Sequence, residues 1–242
     1  MTKTIRTITL ALAGTLAGAA AVHAQTPAPA ESQILMSVSL GGQFGKKTFN
    51  ETTSFPLYNE LATVSNSQRV GNGFVFDISG AYRVRRHFAL ALGISTFHGS
   101  GDASLTATIP SPIFFGQPKV STGTEGSLGQ TDVAVNLQAV WLQPITSKID
   151  AAIFAGPSII HVKQTIGTAT AVPGTQDIST LSGSESKTTG KAGSIGVDFN
   201  YKINPRYGAG LFVRYLGGRA DLPSVKLTVG GAQVGVGLRV AF

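Results

Sequence analysis

The sequence has 242 residues, 42% of them hydrophobic and 13% charged, with a formal net charge of +7 and no cysteine. The missing cysteines exclude a disulfide framework and thiolate metal sites, and the charged fraction is low against ~25% in an average soluble domain. Part of the positive charge is N-terminal, and no run of Lys and Arg with interleaved aromatics follows it, so no nucleic-acid partner is expected.

Lys3 and Arg6 precede an apolar stretch from Ile8 to Val22, and Val22-His23-Ala24 is a small-x-small sequence before Gln25. That is the layout of a secretory signal peptide over residues 1–24, cleaved between Ala24 and Gln25. The stretch is short for a membrane span of ~20 residues. Residues 25–32 form a Pro/Ala-rich linker, and after residue 24 no apolar run is long enough for a helical span.

From residue 33 onward, apolar residues recur at every second position in successive segments. In a strand such alternation sends one set of side chains to each face. The first segment, residues 34–44, sets Ile34, Met36, Val38, Leu40 and Phe44 against Ser37, Ser39 and Gln43. The second (73–84) sets Phe74, Phe76, Ile78, Tyr82 and Val84 against Asp77, Ser79 and Arg83. The third (88–97) and fourth (131–141) follow the same rule, with Asp132 and Asn136 on the polar side of the fourth. The fifth (150–163) is irregular: Pro157 cannot donate to a ladder and predicts a bulge or local break. The sixth (193–203) opposes Val197, Phe199 and Tyr201 to Asp198, Asn200 and Lys202. The seventh (207–215) opposes Leu211 and Val213 to Gly210, Phe212 and Arg214, and the tail alternates through Leu238, Arg239 and Val240 to Phe242.

Eight segments, each near the ~9–11 residues of a tilted membrane strand, fit a closed antiparallel barrel. Short links (85–87, 144–149, 204–206) alternate with long ones (45–72, 98–130, 164–191), so the long ones fall at one end. Folding the sixth and seventh segments about Pro205 pairs Asp198 with Phe212, Asn200 with Gly210, Val197 with Val213 and Phe199 with Leu211. That match of like with like would be lost on a slip of one residue. The polar face is dominated by Gly, Ala, Ser and Asn rather than Lys and Glu, which suits a crowded barrel interior better than a solvated surface.

On these residues, and on "YRVRRHFALALGIS", "GSIGVDFNYKINPRYGAGLFVRY" and the terminal "VGVGLRVAF", the chain resembles the bacterial outer-membrane β-barrel domain family, the small OmpA-like and OmpX-like barrels. The resemblance spans residues 33–242. It implies an all-β, eight-stranded, up-and-down transmembrane barrel with short periplasmic turns and long extracellular loops, in the outer membrane of a Gram-negative bacterium. It also implies contact with outer-membrane lipid and lipopolysaccharide, and recognition of the terminal strand at Phe242 by the outer-membrane assembly machinery. No peptidoglycan-binding domain is expected after the barrel.

The expected inward charges are Asp77, Arg83, Asp132, Asp198, Lys202, Arg214 and Arg239, with Asp198 and Arg214 within diagonal reach on neighbouring strands. Charges in a narrow lumen are costly unless paired, so they predict a salt-bridged plug, or a gated pore if the pairs rearrange. A structural or surface-interaction role is the main reading. A small-solute or ion channel and a soluble periplasmic lipocalin-like binder are the alternatives. His87, His98 and His161 join no catalytic motif, Ser158 and His161 fall on opposite strand faces, and neither enzyme activity nor a metal or cofactor is expected. In the second long link, Ile113, Phe114 and Phe115 form an apolar, proline-flanked stretch that either packs on the barrel rim or meets a partner or lipopolysaccharide. The sequence names no surface partner.

Overall fold

The computed structural model describes residues 33–45, 47–168, 182–221 and 226–242. The expected signal peptide, linker and Ala24–Gln25 cleavage site lie outside the described residues.

The described residues form nine strands: β1 Ile34–Phe44, β2 Lys47–Leu57, β3 Glu60–Arg85, β4 Phe88–Ile109, β5 Lys119–Pro144, β6 Ile149–Thr168, β7 Ser182–Lys202, β8 Tyr207–Asp221 and β9 Lys226–Ala241. Every pairing is antiparallel and between chain neighbours, except that β1 pairs with both β9 and β3 and so closes the ring. The ring has eight positions, because β1 pairs with the lower part of β3 and β2 with its upper part. At the level of β1 closure leaves no free edge, which is what a sheet in hydrocarbon requires, while above it β2 pairs with β3 alone. The first and last strands seal it at their ends: Phe242 N–H donates to Ile34 O at 2.9 Å and Ile34 N–H to Phe242 O at 3.2 Å.

The β7–β8 register is the one the like-with-like matching predicts, with Asp198 opposite Phe212, Asn200 opposite Gly210 and Phe199 opposite Leu211. β3 and β4 likewise pair Asp77 with Ser95 and Arg83 with Ala89. Pro157 makes no bulge. The β5–β6 ladder skips Leu137 and Gln138 and resumes in the same register, and β6 sends Phe154, Ser158, Ile160 and Val162 inward.

The links read from the sequence as long are largely walls of strand. β4 runs for 22 residues and β5 for 26, well beyond a membrane's needs. Two bulges reverse the phase of alternation on β3 and β5, whereas β4 keeps its phase and simply turns polar outward above Gly101, at Asp102, Ser104 and Thr106. The β3–β4 register shifts between Val70 and Gly73, so Asn66, Gln68 and Val70 are buried above the shift and Val75 and Asp77 below it. The β4–β5 register shifts opposite Gly101–Ala103, where Ser127 has a φ of 61°. An extra residue in one strand swaps its faces, and a sequence scan then sees the periodicity fail. The β2–β3 hairpin turns at Tyr58 and Asn59, with φ of 52° and 62°, the left-handed pair that a tight two-residue hairpin needs. Above the bulges many wall contacts are polar: Thr52–Ser65 and Ser54–Thr63 hydroxyls lie 3.2 Å apart, and Glu185 accepts from Lys163 on β6 at 2.7 Å and from Lys187 on its own strand at 2.9 Å. These two ammonium groups hold the Glu185 carboxyl below its usual pKa.

Candidate functional site

Below the bulges, the outward positions carry a continuous apolar belt. Leu211 is 43% exposed, Phe199 44%, Val236 62% and Leu238 63%. Aromatics edge the belt on both sides, with Phe44, Phe74 and Tyr215 at one level and Tyr82, Trp141, Tyr201, Tyr207 and Phe242 at the other, all exposed. A barrel with a band of this kind between aromatic girdles sits in lipid, because so large an apolar surface would be untenable in water. A lipocalin-like binder would turn Phe199, Leu211 and Leu238 into its core, so that alternative is corrected.

The lumen beneath the belt is filled in layers. At the short-turn mouth, Lys202 Nζ lies 2.8 Å from Asp150 Oδ1, both partly exposed. Arg83 stands half-buried near the same mouth. Next, Arg239 makes two hydrogen bonds to the Asp198 carboxylate and donates from Nη1 to Ser39 Oγ at 2.8 Å. Gly210 is what admits it: a Cβ at that position would come within 2.5 Å of the guanidinium.

The third layer is built on Phe212. Its ring lies against Gly235, where an added Cβ would be 2.5 Å away, and the Arg214 guanidinium sits 5.3 Å from its centroid, within cation–π range. From there Arg214 crosses the lumen. Its Nη1 donates to Asp77 Oδ2 at 2.8 Å and its Nε to Gln233 Oε1 at 2.7 Å, and Gln233 donates in turn to Gln43 Oε1 at 2.7 Å. Arg214, Asp77, Gln233 and Gln43 are all buried. On the facing wall Ser158 donates to Asn136 at 2.7 Å, Asn136 to Ser95 at 3.2 Å and Gln138 to Ser194 at 2.9 Å. An apolar layer follows, with Val75, Phe97, Ile160, Val162 and Leu216 packed together. Asp132 lies level with it and accepts from Gln130 at 2.7 Å. Lys47, above the belt, is lowered in pKa by burial, an effect that the Asp132 charge opposes.

Of the seven expected lumen charges, four therefore meet as two pairs, Asp77–Arg214 and Asp198–Arg239. Asp198 and Arg214 do stand diagonally across the β7–β8 ladder, as expected, but each takes a different partner. Asp198 stands opposite Phe212 and bonds Arg239, while Arg214 passes the Phe212 ring and bonds Asp77. The expectation of an interior made of small side chains is corrected. Phe97, Phe154 and Phe212 are buried inside, each fitted to a glycine on a neighbouring strand: Gly73, Gly196 and Gly235. The large and small residues are complementary, so Gly73, Gly196, Gly210 and Gly235 mark aromatic and arginine seats. Gln43 and Gln233 share the parity of the polar face, which is the signal that could have singled them out.

Ile113, Phe114 and Phe115 are 79%, 60% and 82% exposed, so they do not pack on the rim. Their turn is braced: Ser111 Oγ accepts from the Ile113 and Phe114 N–H groups at 3.2 and 3.0 Å, and Gly116 N–H donates to Glu60 at 2.8 Å. The short turns at the other end are braced in the same manner. Asn204 Oδ1 accepts from Arg206 and Tyr207 N–H at 2.8 and 2.7 Å, and Thr146 Oγ1 from Lys148 and Ile149 at 3.2 and 3.0 Å. Asn204→Ala removes two such bonds and is expected to lower stability by about 1 kcal/mol, measured by urea unfolding in lipid vesicles.

A closed eight-position ring and a lipid-facing apolar belt between aromatic girdles define an integral β-barrel membrane protein of the outer-membrane type. No family model matches the chain, and no curated protein matches it. Among solved structures it is similar to Neisserial surface protein A, at 14% identity over 86% of this chain and 96% of that chain, with a TM-score of 0.45. It is similar to OprG from Pseudomonas aeruginosa, at 10% identity over 88% and 96%, with a TM-score of 0.47. It is also similar to the outer membrane protease OmpT from Escherichia coli, at 10% identity over 90% and 99%, with a TM-score of 0.39.

Proposed function

We propose that this protein is a non-catalytic surface-interaction barrel of the outer membrane, exported through a signal peptide cleaved at Ala24–Gln25. In this reading the strand ending at Phe242 is read by the assembly machinery, and the short turns face the periplasm. The lumen is held shut by ion pairs, and the outer leaflet contacts are with lipopolysaccharide. The observation that carries the reading is the buried crossing of Arg214 from β8 to Asp77 on β3, braced by Gln233 and Gln43. A guanidinium with such partners fills the narrow interior of an eight-stranded barrel and leaves no continuous aqueous path through that layer. The surface role is supported by the braced tip at Ile113–Phe115, which presents three apolar side chains to the exterior.

Planar-bilayer recording tests this directly. The purified barrel is expected to show no steady conductance. A steady, ion-selective conductance from the unmodified protein would favour the channel reading instead.

A further inference from the structure

The belt is not smooth. A groove of about 860 Å³ lies on its outer face across β6 to β9 and β1, walled by Phe199, Tyr201, Leu211 and Leu238. Its depth comes from Ala209, which is opposite Tyr201 on one neighbour and Leu238 on the other. Small side chains between large ones leave a trough, and its volume is that of a ligand site. Ile149 lines the groove at the short-turn end, and there the surface changes character. Lys148 immediately precedes β6, and Arg206 immediately precedes β8. Both are exposed, and neither makes an ion pair among the described residues, whereas nearby Lys202 is neutralised by Asp150. The two turns are tied to their neighbours, since Lys202 N–H donates to Lys148 O and Ala241 N–H to Arg206 O, both at 2.8 Å. The two basic residues lie just before strands two positions apart on the ring, hence ~10 Å apart at the backbone, and Thr146 and Asn204 hold their turns in shape.

We infer that this groove binds an anionic phospholipid, one acyl chain lying against Ala209 and the phosphate bridging Lys148 and Arg206. The chemistry is complementary at both ends. A hydrocarbon trough with a polar, doubly cationic mouth at the interface matches an acyl chain joined to a negatively charged head group. Placing that lipid in the inner leaflet rests on the proposed periplasmic orientation of the short turns.

Native mass spectrometry in an uncharged detergent tests the site, with phosphatidylglycerol and phosphatidylcholine of equal chain length as probes. Two basic side chains at an anionic surface predict retention of phosphatidylglycerol roughly 30-fold above phosphatidylcholine. Lys148→Gln with Arg206→Gln should bring the ratio to within ~3-fold, on the same per-residue scale. Arg85→Gln, at the end of β3 and outside the groove's strands, should leave it unchanged. Ala209→Phe should reduce retention of both lipids by filling the trough. Equal retention of the two lipids by the unmodified protein would overturn the inference, as would a preference that survives the double substitution or retention indifferent to Ala209→Phe. The orientation is tested separately: labelling of Ser147→Cys from outside intact cells would refute the inner-leaflet placement while leaving the lipid ratio standing.

Discussion

Arg214→Ala is expected to destabilise the barrel by about 3–5 kcal/mol, the cost of leaving a buried charge without its partner. Asp77 is only 8% exposed, and the substitution strips its carboxylate of the one ion pair it makes among the described residues. The same change should leave a void in that layer between the Arg239–Asp198 layer and the apolar layer, and bilayer recording should detect transient openings that the unmodified protein lacks. The double variant Asp77→Leu with Arg214→Met separates the two effects. Replacing a buried pair with apolar side chains of similar volume is often neutral or stabilising, so stability should return and the lumen should close again. If the single variant is as stable and as silent as the unmodified chain, the crossing at this layer is not what closes the barrel.

The second large effect lies on the opposite face of the same strand. Leu211→Arg puts a charge at the middle of the belt and is expected to cost about 2–4 kcal/mol in lipid vesicles. Lys187, on an exposed position well above the belt and paired with Glu185, provides the contrast: Lys187→Gln removes one member of a solvated pair and should change stability by at most ~1 kcal/mol. Urea titrations of the two variants side by side would read the position of the hydrocarbon boundary. Equal costs at both positions would mean that no low-dielectric medium surrounds the strand at Leu211.

How far the sequence reaches is clearest on β7 and β8. Their alternation is unbroken, their turn is short, and the pairing of Phe199 with Leu211 and Asn200 with Gly210 follows from matching like with like. The upper walls resist that treatment for a local reason. The bulges at Val70–Gly73 and opposite Gly101–Ala103 reverse which residues of β3 and β5 face inward, and on β4 the outward positions turn polar without a change of phase, so a scan for an apolar outward face reads ordered strand as loop. The lumen resists it for a global one. Register fixes which residues are neighbours along the wall, as with Gly210 and Gly237, but says nothing of which side chains meet across the ring. The Arg214–Asp77 crossing joins β8 to β3, strands that share no ladder. The aromatic seats were hidden for a related reason. Phe212 reads as an anomaly on a small-residue face until Gly235 is placed beside it on β9.

The central physical claim is that hydrocarbon touches one parity of these strands and a packed interior the other. The chain has no cysteine, so single cysteines at 209, 210, 211, 212 and 213 can each carry a nitroxide label in lipid vesicles. Collision with oxygen, which concentrates in the bilayer, should peak at Ala209, Leu211 and Val213 and fall at Gly210 and Phe212, with a water-soluble nickel complex reaching none of the first three. Peaks at Gly210 and Phe212, or ready access of the nickel complex to Leu211, would contradict it.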